Sequence, residues 1–216
     1  YTGGTNISFG AYLVGSSLVG SSLGSGYITI AASSNLLLTG SGALGAGAVV
    51  DNGTLSFNNS AINTVSGITG SGTIAVANGS GLKLSGALGT TTTIANGGFL
   101  DLNGQNSTAN ISIAGAGNTL NSNAGALINS SATASTQSGT VTMTGITYLG
   151  GTGDITISGV ISGSAALRLD VSSSNIVTLT GANTFTNGMN LYGGTLSVST
   201  GGASGTNLSS GPVVID

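Results

Sequence analysis

The sequence predicts an all-β fold: a parallel right-handed β-helix (β-solenoid) of about 10–11 coils. Three observations predict it. The chain has 216 residues, with 40 Gly, 1 Pro and only 3% charged residues. Short apolar segments with period-two alternation recur along its whole length. Asn-Gly corners return about every 18–26 residues, close to one coil.

Composition narrows the choice first. An ordinary soluble domain carries about 25% charged residues, so a chain this poor in charge is membrane-embedded, disordered, or built on a regular backbone lattice. No apolar run approaches the ~18 residues of a membrane helix. Disorder goes with low hydropathy and high net charge, whereas mean hydropathy here is +0.42 and formal charge −3. The lattice remains. Helix is disfavoured because each Gly costs about 1 kcal/mol relative to Ala. Ser, Thr, Asn, Val and Ile belong to strands and turns.

In chain order, the predicted strands begin at Tyr27-Ile28-Thr29-Ile30. Next come Thr54-Leu55-Ser56-Phe57, Thr73-Ile74-Ala75-Val76 and Leu82-Lys83-Leu84. Then follow Phe99-Leu100-Asp101-Leu102, Ile111-Ser112-Ile113, Val141-Thr142-Met143 and Ile155-Thr156-Ile157. Leu167-Arg168-Leu169, Val177-Thr178-Leu179 and Leu196-Ser197-Val198 complete the set. Alternation predicts that Ile28, Ile30, Leu55, Phe57, Ile74, Val76, Leu100, Leu102, Ile155, Ile157, Leu196 and Val198 point inward. Thr29, Ser56, Ala75, Asp101, Thr156 and Ser197 are expected outward. Between strands, Asp51-Asn52-Gly53, Ala77-Asn78-Gly79 and Ala95-Asn96-Gly97 are corners, since Gly and Asn reach positive φ cheaply. Asn-Gly is also the favoured two-residue hairpin, so an antiparallel sandwich is the competing architecture.

One motif stands near both ends. Tyr1-Thr2-Gly3-Gly4-Thr5-Asn6-Ile7 matches Phe185-Thr186-Asn187-Gly188-Met189-Asn190-Leu191. Ser25 to Ile30 matches Ser210 to Ile215. The chain is thus expected to begin and end in the same phase of a repeat, as residues 1–216 of one solenoid segment in a longer repetitive protein. Neither end looks capped. Further coils of the same chain, or sister subunits stacked head to tail, are the expected partners.

Three pieces resemble the autotransporter-associated β-strand repeat of bacterial type V secretion passengers. They are Ile157 to Ser164, Leu179 to Gly188, and Gly193 to Val198. The best match covers about residues 153–216, and Tyr1 to Phe57 is also similar. Asn187 and Met189 depart from the usual Gly and Thr, and the 216 residues contain no membrane barrel. The resemblance implies an extracellular location on a bacterial cell surface, as stalk or filament, without self-transport.

Chemistry has little to work with. There is no His, Cys or Glu, so no thiolate metal site and no disulfide framework. No catalytic, cofactor-binding or metal residues are expected. Lys83 and Asp101 read as a cross-coil pair. Gly150-Gly151-Thr152-Gly153-Asp154 is one residue out of step with a calcium-loop repeat and does not recur. Thr90 to Thr93 reads as ordinary strand threonine, and Asn52-Gly53-Thr54 and Asn78-Gly79-Ser80 as chance sequons. Two cations cannot neutralise a phosphate backbone, so nucleic acid is not a partner. The expected function is a structural segment of a surface fibre or stalk. The alternative is an adhesin module for host glycan, protein or matrix, with Tyr12, Tyr148 and Tyr192 as its interaction aromatics. A polysaccharide-active enzyme using Asp101 or Asp170 comes last.

Overall fold

A computed structural model of the chain describes residues 2–8, 10–16, 23–122, 124–171, 175–199, 208 and 211–215. They wind into a β-solenoid of about nine turns, with 2% of residues helical. Every strand pairing among them is parallel, which excludes the antiparallel sandwich. The cross-section has three faces.

The first face stacks Thr5–Ile7, Ile28–Ile30, Val49–Asp51 and Ile68–Thr69. It continues through single bridges at Leu88 and Ser107 to Ser135–Gln137, Ile155–Ile157, Ile176–Leu179 and Thr195–Val198. The second face runs Tyr12–Ser16, Asn35–Thr39, Thr54–Asn58, Thr73–Val76, Thr91–Ile94 and Ile111–Gly115. It passes into the long strand Val141–Gly151 and then Ile161–Ser162. The third face stacks Ile62–Val65, Gly81–Leu84, Phe99–Asp101 and Leu127–Asn129. Above these lie the second half of Val141–Gly151, then Leu167–Val171, Met189–Gly193 and Val213–Ile215.

Nine turns, rather than 10 or 11, follow from uneven coil length. Asn52 and Ser71, bonded across one coil step, lie 19 residues apart, whereas Asn106 and Thr136 lie 30 apart. The extra residues around 116–122 and 124–125 leave the coil path and include a short 3-10 turn, Thr119–Asn121. The matching end motifs do not share a face. Thr5–Ile7 and Ile28–Ile30 lie on the first, Met189–Gly193 and Val213–Ile215 on the third. A three-residue strand with an in-out alternation fits any face, so motif phase does not fix position around the coil.

The core consists of in-register ladders. Leu36, Leu55 and Ile74 stack on the second face, and beside them Leu38, Phe57, Val76, Ile94, Ile113 and Met143. The third face carries Leu82, Leu100, Leu127, Leu149, Leu169 and Leu191. Such stacking buries like against like and keeps each backbone group paired with the coil above and below. Of the twelve expected inward residues, ten are buried, while Leu196 and Val198 are half-buried. Thr29, Ser56, Ala75, Thr156 and Ser197 are partly exposed. Asp101 points outward as expected, yet it is only 3% exposed. Its side chain faces away from the core, but residues of the excursion and Ser130 cover it.

The corners also differ from one another. Gly79 and Gly97 have φ of +81° and +85°, as turn geometry requires. Gly53 does not need positive φ. A Cβ there would come within 2.2 Å of the Ser34 carbonyl oxygen, so its glycine is required by close backbone approach.

Candidate functional site

The outer side of the third face is where the chemistry-bearing side chains converge. Strand register determines the arrangement. Lys83 lies opposite Asp101, Tyr148 opposite Arg168, and Arg168 opposite Asn190. Gly150 lies between the coils of Ile128 and Asp170.

At the lower end, Lys83 Nζ is 3.6 Å from Asp101 Oδ2. Asp101 is held by three donors. The Ser130 hydroxyl reaches Oδ2 at 2.6 Å, and the Ser130 and Asn103 amides reach Oδ1 at 3.0 and 2.9 Å. Lys83 also donates to Ser130 Oγ at 3.2 Å. The pair anticipated from sequence is therefore present, and it is less solvated than a free surface pair.

Over this pair arches the excursion. Asn118 pins it: its side-chain amide donates to the carbonyls of Gly97 (2.8 Å) and Ser80 (3.2 Å). Its Oδ1 accepts from Leu120 N, and Asn121 Oδ1 accepts from Asn118 N. That reciprocal cap satisfies the first turn's free donors. Beneath it lies a cleft of about 380 Å³, walled by Ile62, Phe99, Leu120 and Ile128 with Lys83, Asp101 and Ser130 at its polar side. Phe99 lies across Gly81, where a Cβ would come within 2.2 Å of the ring.

Toward higher residue numbers the cleft reaches Gly151 and Thr152. The next coil carries Arg168. Its guanidinium carbon lies 5.3 Å from the Tyr148 ring centroid and 5.9 Å from that of Tyr192. Arg168 donates to the Tyr148 hydroxyl, which holds its pKa above the already high ordinary value. Asn190 donates to the Tyr192 hydroxyl at 3.1 Å. Two of the three aromatics singled out from sequence thus meet around one cation. Tyr12 does not join them. It is 62% exposed on the second face, in the strand Tyr12–Ser16.

Other sequence features fall elsewhere. Asp154 Oδ1 accepts from Ile176 N at 2.8 Å, and no three metal-ligating side chains gather among the described residues. Thr91 and Thr93 point outward as expected of strand threonines, but Thr90 and Thr92 are buried, with Thr92 Oγ1 donating to the Thr90 carbonyl at 2.8 Å. Asp51 is buried in the core. Sequence reasoning missed the cleft because Ile62, Leu120 and Ser130 come from segments without a motif. The long interval between Asn106 and Thr136 was the available signal. Comparison with protein-family models, curated proteins and solved structures found no match to this chain.

Proposed function

We propose that this chain is a structural segment of an extracellular bacterial surface fibre or stalk, of the kind carried by autotransporter-like passengers. The observation that carries this reading is the parallel stacking of coils through about nine turns. A solenoid of this kind gains stability coil by coil and gives a stiff rod. With two Lys/Arg and five Asp residues in the whole sequence, its outward Ser, Thr and Asn rows pack against neighbours with few ions to desolvate. A non-catalytic role is supported by the scattering of its carboxylates. Asp51 is in the core, Asp154 holds a backbone amide, and Asp101 is occupied by Lys83 and Ser130. Immunogold labelling of intact cells of the source organism tests this reading. Label on external fibres or stalks is expected; label only after cell lysis contradicts it.

A second reading, an adhesin module, is favoured by one observation: Tyr148 and Tyr192 flank Arg168 on the same face as the cleft.

A further inference from the structure

We infer that a notch beside Tyr148, at the corner between the second and third faces, binds a neutral N-acetylhexosamine residue of a glycan. This deepens the adhesin reading, on which it rests, and is independent of the stalk reading.

The notch follows from what successive coils bring to one corner. Ile94, Ile113 and Met143 stack in that order on the second face, so the corners after them lie on three consecutive coils. The first corner carries Asn96, the second Ala114, Gly115 and Ala116, and the third Gly145, Ile146 and Tyr148. The middle coil thus offers nothing larger than a methyl group. Glycine is required at 115 on two grounds: its φ is +97°, and a Cβ there would come within 2.4 Å of Asn96 Oδ1. Neighbouring parallel strands lie about 4.8 Å apart, so the side chains on either side of this bare step are carried by strands ~10 Å apart. The result is a cavity of about 380 Å³, within the range of small-ligand sites.

The walls set the ligand class. Tyr148 forms one wall, and it is held from the far side. Arg168, on the next coil, lies 5.3 Å from the ring centroid and donates to the phenol oxygen. The coils of Gly115 and Arg168 lie on opposite sides of Tyr148, so the cation stands behind the ring and outside the notch. The ring is therefore ordered before a ligand arrives. Its hydroxyl accepts from Arg168 and keeps its own hydrogen to donate. On the opposite wall, the exposed Asn96 amide offers a donor and an acceptor. Ile146, 45% exposed, stands two residues from Tyr148 on the same strand and so on the same side. With the Ala114 and Ala116 methyl groups it makes an aliphatic patch near that amide. An N-acetylhexosamine presents a matching set: a C–H face for the aromatic ring, an acetamido N–H and C=O for Asn96, and a methyl group for the patch.

Other ligand classes fit less well. No charged side chain lines the notch, so a uronate or phosphate finds no counter-ion there. Arg168 does not supply one, because it donates to Tyr148 and its Nε is buried. A peptide adding a strand needs an unpaired sheet edge, whereas Ile111–Gly115 and Val141–Gly151 are paired on both sides.

The test is an NMR titration with diacetylchitobiose and with cellobiose, which has the same two rings and linkage with hydroxyls in place of the acetamido groups. Diacetylchitobiose is expected to bind at least about tenfold more tightly. It should move the Gly115, Gly145 and Ile146 amides and leave that of Tyr12 in place. Tyr148→Ala should weaken diacetylchitobiose at least about tenfold, and Ile146→Ser should narrow the preference below about threefold. Tyr12→Ala, which removes an aromatic 62% exposed on the second face, should change neither. Unchanged thermal unfolding checks the variants, and the amide map of the wild type needs none of them. Equal binding of the two sugars overturns the inference. So does absence of binding, shifts confined to other coils, or affinity indifferent to Tyr148→Ala. Host-cell binding that survives Tyr148→Ala overturns the notch and leaves the adhesin reading standing.

Discussion

At Asp51 the chain places a carboxyl where Ile7 and Ile30 stand on the preceding coils. The side chain is fully buried. Oδ1 accepts from Gly53 N at 3.0 Å, and Oδ2 has no hydrogen-bond partner among the described residues. Burial pushes its pKa up to about 6 from 3.8, against the opposing pull of the Gly53 amide. The sign of the linkage follows. Between pH 4 and 6 the unfolded chain has lost this proton and the folded chain has kept it. Stability from this group is therefore greatest at the acidic end and is lost as pH rises. The loss amounts to about 2 kcal/mol between pH 4 and pH 7, at 1.36 kcal/mol per pKa unit. Urea midpoints of wild type and Asp51→Asn across that range measure it. The wild type should lose stability with rising pH and the variant should not; parallel profiles would show that Asp51 is not the cause. Polar breaks occur elsewhere in the ladders. Ser107 and Gln137 follow Leu88 on the first face, and Gln137 Nε2 donates to the Ala109 carbonyl at 2.7 Å.

Among elements, the strands were readable from sequence and the excursion was not. Thr54–Asn58, Thr73–Val76 and Ile155–Ile157 announce themselves because alternation, β-branching and flanking Gly all agree. Residues 116–122 and 124–125 carry no periodicity, and side-chain amides from Asn118 and Asn121 hold them. The Asn118 bonds run to carbonyls brought near only by coil stacking, so no local pattern encodes that pin. The same cause hid the burial of Asp101 and the cleft. Tyr148 and Tyr192 were legible as aromatics on a polar chain, but their meeting at Arg168 depends on register. Removing the pin should loosen the excursion alone. Asn118→Ala should cost about 1–2 kcal/mol locally and speed amide exchange at Leu120. Exchange at Leu82 and Leu100 should stay unchanged; if it accelerates equally, the excursion is part of the core. Within a strand, parity decides cost. Leu82→Ala, inward and fully buried, should lower stability by about 2–5 kcal/mol. Leu37→Ala, outward on the second face, should stay within about 0.5 kcal/mol. Equal costs in equilibrium unfolding would contradict the assigned parity.

For the whole molecule, the claim is that coils stack in parallel with a fixed neighbour at every position. Its stability is then a sum over coils and their interfaces, and a defect in one coil is felt mainly by the two beside it. The sequence repeat indicated this stacking but not the face each strand occupies, because the spacing of paired neighbours changes along the chain, as between Thr73 and Thr91 and between Ile111 and Val141. The absence of cysteine allows the neighbour relation to be tested directly. Thr54, Thr73 and Thr91 follow one another across three coils of the second face. Neighbouring parallel strands lie about 4.8 Å apart, inside the Cα range a disulfide spans, and positions two coils apart lie beyond its limit of about 7 Å. Cysteine pairs at 54/73 and at 73/91 should therefore cross-link under mild oxidation without loss of the fold, while the pair at 54/91 should not. Cross-linking of 54/91 in preference to the adjacent pairs would contradict the stacked solenoid.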